Sequence, residues 1–295
     1  MIRPNLLDQE FLRKLEYLSL VSRRVFRGQL LAQRRTRQLG AGIEFADHRE
    51  YAPGDDYRYL DWHVYARHEE LLLKRFHEEE DLHVYILLDV SRSMALDDER
   101  KLWYAKQLAA ALAYIALAEM DRVAVVAFAG EPVAEYPLTR GKGKVLNLLR
   151  FLQDLPSHAS TTDLRRACAA LVHRRSKTGV VLLISDFYDP AGFAPAVDLL
   201  RYHRHEPHLI QVYDRSEADP ALRGDVELVD CESGQREQAT IDEGVLNRYR
   251  AAFRRHQEQM RAYCREHGMA CTQTTIDVPF DRLLLEMMRR AGIVE

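Results

Sequence analysis

Nowhere in this chain do about 18 apolar residues follow one another without interruption, so no segment reads as a membrane-spanning helix. The longest candidate, Leu108 to Leu117, is Ala-rich, too short, and bounded by Lys106 and Glu119. The opening residues Met1-Ile2-Arg3-Pro4-Asn5 lack the apolar core of a signal peptide. Cysteine is scarce as well. Cys168, Cys231, Cys264 and Cys271 make no C-x-x-C pair and no dense framework, which excludes a disulfide-built scaffold and fits reduced thiols. Charge of one sign is missing too: a formal net charge of −3 gives no overall field toward nucleic acid or an anionic membrane. Arg23, Arg24, Arg27, Arg34, Arg35 and Arg37 make one locally basic stretch, but no recognition motif accompanies them, so they do not read as a phosphate-binding patch. These absences lead to the expectation of a cytoplasmic protein with no nucleic-acid partner and no direct membrane insertion. Docking to a membrane-bound partner stays open.

What is present is an ordinary globular composition, 47% apolar and 29% charged. At 295 residues the chain can bury the core of a large α/β domain plus a smaller piece. Residues 5–20 carry Leu6, Leu7, Phe11, Leu12, Leu15 and Leu18 at helical spacing. Residues 21–80 are less regular, with a turn signal at Pro53-Gly54-Asp55-Asp56. The acidic run Glu78, Glu79, Glu80, Asp81 marks a boundary, giving an N-terminal region over 1–80 and a larger domain over 81–295.

Beyond residue 81 the pattern alternates. Strands are predicted at 82–89, 123–128, 133–138, 179–185, 208–213 and 271–276. Helices are predicted at about 99–119, 142–153, 163–175, 192–204, 243–267 and 279–291. Val123 to Phe128 and Val180 to Ile184 lack polar alternation, as strands buried on both faces do. The fold class is therefore α/β: a doubly wound, mostly parallel sheet covered by helices on both sides. Asp225 to Asp230 and Arg236 to Ile241 flank Glu232-Ser233-Gly234, which predicts a hairpin over 225–241. Gly141-Lys142-Gly143-Lys144 lacks the full phosphate-loop pattern and reads as a helix-opening loop.

The chemistry concentrates after the first strand of that domain. Asp89-Val90-Ser91-Arg92-Ser93 sets an acid and two alternate hydroxyls on one loop. Ser160-Thr161-Thr162-Asp163 offers more hydroxyls before a helix, and Ser185-Asp186 ends another strand. Ligands of open α/β sheets bind beyond the carboxyl ends of the strands, so the three pieces are expected to converge. Two carboxylates with hydroxyls form an oxygen-only set, which suits Mg²⁺ or Mn²⁺ rather than zinc. Asp163 is expected to cap its helix, and Asp189-Pro190 to form a turn. His83 and His208 read as partly buried structural residues.

The Asp-x-Ser-x-Ser, Thr, Asp order resembles the von Willebrand factor A fold and its metal-ion-dependent adhesion site. The resemblance implies direct metal coordination by Ser91, Ser93 and Thr162, with Asp89 and Asp186 holding the ion through water or partly directly. The family usually has glycine before the threonine. Ser160 and Thr161 stand there in this chain, leaving Thr161 or Thr162 as the ligand. Neutral hydroxyls leave much of the ion's charge uncompensated, so an open position would attract a carboxylate from a partner.

A second resemblance covers nearly the whole chain. Gly42-Ile43-Glu44-Phe45, Arg49-Glu50-Tyr51, Pro53-Gly54-Asp55-Asp56, Asp61-Trp62 and Ala66-Arg67 are similar to the bacterial family called domain of unknown function 58. So are Asp230-Cys231-Glu232-Ser233-Gly234, Tyr249, Phe253, His256, Asp277, Pro279, Phe280 and Leu284. That resemblance implies a von Willebrand factor A-like domain and a MoxR-type AAA+ ATPase partner. It implies an adaptor that helps such an ATPase mature or remodel protein complexes. The residues themselves leave two rivals: an Mg²⁺-dependent hydrolase such as a phosphatase, and a scaffold whose metal loop is degenerate and empty. Asp55, Asp56, Arg58, Asp61 and Arg67, beside Tyr59 and Trp62, read as an internal ion-pair and cap network.

Overall fold

The computed structural model describes residues 5–22, 39–40, 44–77, 82–158, 162–174, 177–232 and 234–290. The six early arginines, Gly42-Ile43, the acidic run 78–81, Ser160-Thr161 and Ser233 lie outside the described residues.

A six-stranded sheet forms the centre of the fold. Its strands are β4 (His83–Asp89), β5 (Arg122–Phe128), β6 (Pro132–Arg140), β7 (Val180–Ser185), β8 (Glu206–Tyr213) and β11 (Ala270–Thr275). The order across the sheet is β11-β8-β7-β4-β5-β6. Every neighbouring pair is parallel except β5 with β6. The chain leaves β4 toward β5 on one side and later crosses back to β7 on the other. The loops after β4 and β7 therefore diverge at a switch point, which opens a crevice at their carboxyl ends.

Side chains of β4 alternate between two cores. Val84, Ile86 and Leu88 join one apolar cluster, and Tyr85 and Leu87 join the other. The first cluster receives α3 (Leu96–Ala118), α4 (Val145–Asp154) and α9 (Phe280–Arg290). The second receives α5 (Leu164–Arg174), α6 (Ala194–Tyr202) and the inner face of α8 (Glu243–Glu266) through Met260 and Cys264. The Ala-rich stretch inside α3 is thus buried all round, between the sheet and the helices packed over it, with Ala109, Ala110, Ala111 and Ala113 fully buried. Lys106 on the same helix buries its ammonium against the end of α4, where Nζ donates to the Leu155 carbonyl at 2.6 Å. Gly179 precedes β7 where a Cβ would meet the His83 carbonyl oxygen at 2.2 Å, so only glycine lets the two chain segments approach.

Helix α1 (Gln9–Ser22) packs on this body. Leu6, Phe11, Leu15 and Leu18 are buried in the first cluster, and the Phe11 and Phe280 rings lie 5.0 Å apart. Each such side chain contributes about 1.5–3 kcal/mol by leaving water.

The rest of the N-terminal region is more ordered than its sequence suggests. Strands β1 (Leu39–Gly40), β2 (Glu44–Glu50) and β3 (Leu72–His77) form an antiparallel sheet of order β1-β3-β2. A 3₁₀ turn (Tyr57–Tyr59) and helix α2 (Trp62–His68) connect β2 to β3. The expectation of irregular structure fails here because β2 is rich in charged residues and shows no two-residue apolar alternation. Backbone pairing and local ion pairs stabilise it instead. Arg49 grips Asp55 through two bonds of 2.6 and 2.7 Å, and Arg58 grips Asp56. Asp61 caps α2 through the amides of His63 and Val64, and also meets His48 at 2.9 Å and Lys74 at 3.4 Å.

The hairpin is present as two antiparallel strands, β9 (Gly224–Val229) and β10 (Arg236–Ile241). It follows the short helix α7 (Arg215–Ala218) and pairs with neither sheet. No helix among the described residues is long and apolar enough to cross a membrane. All four cysteines are free thiols.

Candidate functional site

Asp89 is the last residue of β4 and is wholly buried. Its Oδ1 accepts the Ser91 amide at 2.9 Å, a local Asx turn that bends the chain out of the strand. Its Oδ2 accepts the Ser185 hydroxyl at 2.6 Å, tying the end of β4 to the end of β7. The turn brings the Ser91 and Ser93 hydroxyl oxygens to 3.1 Å, both buried.

Asp186 follows β7 and is also wholly buried. The next residue, Phe187, holds a left-handed backbone with φ 62°. That conformation is rare for a bulky side chain and is stored where the fold over-determines it. The Phe187 amide donates to Ser185 Oγ at 2.9 Å, and Gln211 holds the Asp186 carbonyl at 3.1 Å.

Thr162 reaches the same crevice from the loop before α5. The Asp163 amide bonds the Ala129 carbonyl at 3.1 Å, and the His158 amide bonds the Val90 carbonyl at 2.8 Å. These bonds pin the loop beside the Asp-x-Ser-x-Ser turn. Asp163 caps α5 by accepting the Arg166 amide at 2.8 Å. Asp189 supplies a second cap from the β7 side, accepting the Leu164 amide at 2.8 Å.

Asp89, Ser91, Ser93, Thr162 and Asp186 therefore gather at one end of the sheet. His83 and His208 do not: His83 begins β4 at the opposite end, and His208 is half-buried on β8, bonded to Thr272 at 2.9 Å.

Three further residues join the cluster that motif reasoning did not assign to it. Lys101 of α3 is buried, with Nζ 3.0 Å from Asp186 Oδ2 and 2.5 Å from Glu217 Oε1. Glu217 of α7 completes that triad. Glu232, at the tip of the β9–β10 hairpin, accepts both the amide and the hydroxyl of Thr162 at 3.3 Å, and its carboxylate lies close enough to Ser93 to be favoured by that hydroxyl. Lys101 follows Asp98, Glu99 and Arg100 in the charged opening of α3, so nothing in its own segment marks it as the buried one. Glu232 carried a signal in the Asp-x-Glu tip of the hairpin, but nothing in its own segment says where the tip lands.

The electrostatics are unbalanced. Burial, and then the neighbouring Asp186 charge, push the Asp89 carboxyl up to about 7, while bonds from Ser185 and Ser91 offset part of that. Burial also raises Glu217 despite Lys101. It raises Glu232 too, with Thr162 pulling the other way and Asp186 adding to the rise. For Lys101, burial disfavours the proton, but Asp186 and Glu217 more than reverse it and the ammonium is kept. Lys101 thus pairs with Asp186 and Glu217, while Asp89 and Glu232 are held by hydroxyls and amides.

The donor set fits a hard divalent cation. Adjacent oxygens on an octahedral Mg²⁺ lie about 2.9 Å apart, close to the 3.1 Å between Ser91 and Ser93. Uncompensated buried negative charge is what such an ion neutralises. Lys101 already engages one oxygen of Asp186, so that residue has Oδ1 left to face the crevice, apart from a 3.3 Å contact with the Tyr188 amide.

Fold and site together define a mixed α/β protein with a central, mostly parallel sheet and a buried oxygen-rich cluster at the carboxyl ends of its middle strands. The family described as Protein of unknown function DUF58 matches residues 47–262, and the chain belongs to that family. Among its relatives is the uncharacterized protein Rv1480 of Mycobacterium tuberculosis, 26% identical over 274 residues, covering 91% of this chain and 86% of that protein. An uncharacterized protein of Mycobacterium bovis, Mb1516, matches to the same extent. Among solved structures, the conserved hypothetical protein BatB from Bacteroides thetaiotaomicron is 15% identical and covers 71% of this chain and 99% of that one, with a TM-score of 0.44. An aerotolerance-related membrane protein from Bacteroides fragilis, with multiple mutations to serines, is also 15% identical. It covers 71% of this chain and 98% of that one, with a TM-score of 0.45.

Proposed function

We propose that this protein is a non-enzymatic, divalent-cation-dependent protein-binding adaptor built on a von Willebrand factor A-type domain. The cation is Mg²⁺ or Mn²⁺, held by Ser91, Ser93 and Thr162 with Asp89 and Asp186 behind them. One observation carries the reading: two fully buried carboxylates and a pair of hydroxyls 3.1 Å apart meet at the switch point of the sheet, with more negative than positive charge among them. When bound, the ion supplies a Lewis-acid position for an anionic oxygen. The chain's own part is to hold the hydroxyls in register through the Asp89 turn and to exclude water behind them. The ligand class this favours is an acidic side chain on a client or partner protein. A MoxR-type AAA+ ATPase, the partner implied by the family resemblance, is the first to test.

Calorimetric titration of Mg²⁺ and Mn²⁺ into the wild-type protein, Asp186→Ala and the milder Ser93→Ala tests the site. Saturable binding by wild type, lost in Asp186→Ala and weakened in Ser93→Ala, is the expected result. Equal binding by all three, or none by any, removes the reading. A pull-down with and without EDTA then names the partner and tests its metal dependence together. Divalent-dependent turnover of a generic phosphoester, abolished in Asp89→Ala, would replace the adaptor with a hydrolase.

A further inference from the structure

We propose that Glu232 is the chain's own ligand for this site: its carboxylate holds the place an acidic partner would take, and the β9–β10 hairpin must swing away before that partner binds. The inference rests on the metal-dependent reading above and adds its regulation.

Glu232 arrives from an element that belongs to neither sheet. The hairpin strands pair only with each other, and most of their side chains are exposed. A lone two-stranded ribbon is marginal in water, so its tip contact has a large share in fixing its position. The tip is shaped for that contact. The Asp230 side chain accepts the Glu232 amide at 2.9 Å, and the Asp230 carbonyl accepts the Gly234 amide at 2.9 Å. This turn presents Glu232 to the amide and hydroxyl of Thr162 and to Ser93. Two of the three groups it meets are the hydroxyls assigned to the ion. The carboxylate therefore already stands beside the oxygens that would surround the ion, where a cation would attract it directly.

The consequence for binding is quantitative. A tethered carboxylate acts at an effective concentration in the millimolar range. An outside carboxylate of similar intrinsic strength sees only the fraction of molecules in which the hairpin is open, so its apparent affinity falls by that fraction. A single free acid is thereby rejected, and a partner that also engages the hairpin is favoured.

The test uses the full chain, Mn²⁺ as the metal and acetate as the carboxylate, with wild type, Glu232→Gln and Glu227→Gln compared. Glu227 lies on the same hairpin in an exposed pair with Arg236, so it controls for general effects on the ribbon. Water-proton relaxation reads Mn²⁺ binding and its displacement of water by acetate. Hydrogen exchange reads the amides of 224–241. In wild type and Glu227→Gln, Mn²⁺ is expected to slow exchange in the hairpin, and in Glu232→Gln it is not. Acetate is expected to reach bound Mn²⁺ in Glu232→Gln at a concentration about ten-fold or more below that needed in wild type. If Glu232→Gln does not fold, Glu232→Asp gives the same comparison, since the shorter acid weakens the Mn²⁺-linked protection. Mn²⁺ bound by all three with identical hairpin protection and acetate response overturns the self-ligand and leaves the metal site standing. No Mn²⁺ binding by any of them overturns both.

Discussion

Two regions of this protein are built around aspartates, and they treat them in opposite ways. In the N-terminal block, Asp55, Asp56 and Asp61 each meet a cation and backbone amides from their own neighbourhood. Asp61 has its pKa lowered to about 2, chiefly by His48, and Asp55 and Asp56 are lowered chiefly by their arginines. At the carboxyl ends of β4 and β7, Asp89 and Asp186 are fully buried, Lys101 pairs among the described residues with Asp186 and Glu217 alone, and Asp89 is raised to about 7 by burial and by Asp186. Matched local charges build a turn and a helix cap. Asp89 also closes a turn and ties two strand ends, but no cation pairs with it among the described residues, and perturbed buried groups of this kind cluster at functional sites.

Removing one cation from each region gives the widest separation. Lys101→Met strands Asp186 and Glu217 in the interior, and such a change costs about 3–5 kcal/mol. The urea midpoint is expected to fall accordingly. Arg58→Met removes the partner of Asp56 at an exposed position, and no resolvable shift in midpoint is expected there. Equal effects from the two variants would erase the distinction.

Acid titration sharpens the comparison with a smaller signal. The chain has two tryptophans, Trp62 in the block and Trp103 on α3, so Trp103→Phe and Trp62→Phe give one reporter for each region. His208 is neutral in the fold, pushed down by burial to about 4 from the ordinary 6.5. Its contribution is fully present above about 6.5 and is lost as pH falls toward 4, at no more than about 1.4 kcal/mol per pH unit. Asp61 stays charged down to about 2, so its contribution is present above about 4 and is lost only as pH falls through 2. Asp89, raised to about 7, works in the opposite sense, because its buried charge opposes the fold at pH 7 and is relieved as pH falls. The His208 part is therefore read as a difference between variants: in the Trp103 signal, His208→Gln is expected to gain urea stability relative to wild type on going from pH 7 to pH 5, with no such gain in the Trp62 signal. A difference between the two proteins that does not change with pH removes the assignment to His208.

The smallest effect is the most local. Asp61→Ala removes the cap of α2, and faster amide exchange is expected at His63 and Val64. The midpoint reported by Trp103 should not move.

Much of the body is legible in one dimension because its signals are local. The apolar run before Asp89 and the uninterrupted Val180 to Ile184 mark strands buried on both faces, and they become the adjacent centre strands β4 and β7. The hairpin over 225–241 is marked by its turn residues and appears as β9 and β10. The small N-terminal sheet is not legible, since the polar strand Glu44–Glu50 is stabilised by pairing with β3 and has no apolar face of its own to announce it.

At the site the division falls the same way. Asp89, Ser91 and Ser93 lie within five residues, and a side chain two positions from an amide closes its turn without help, so the sequence by itself determined that three oxygens share one loop. Which charges surround that loop was decided only by the tertiary structure. Lys101 meets Asp186 across 85 residues, and Glu232 meets Thr162 across 70. Such meetings depend on strand order, helix packing and the landing point of a hairpin, and no local propensity encodes them.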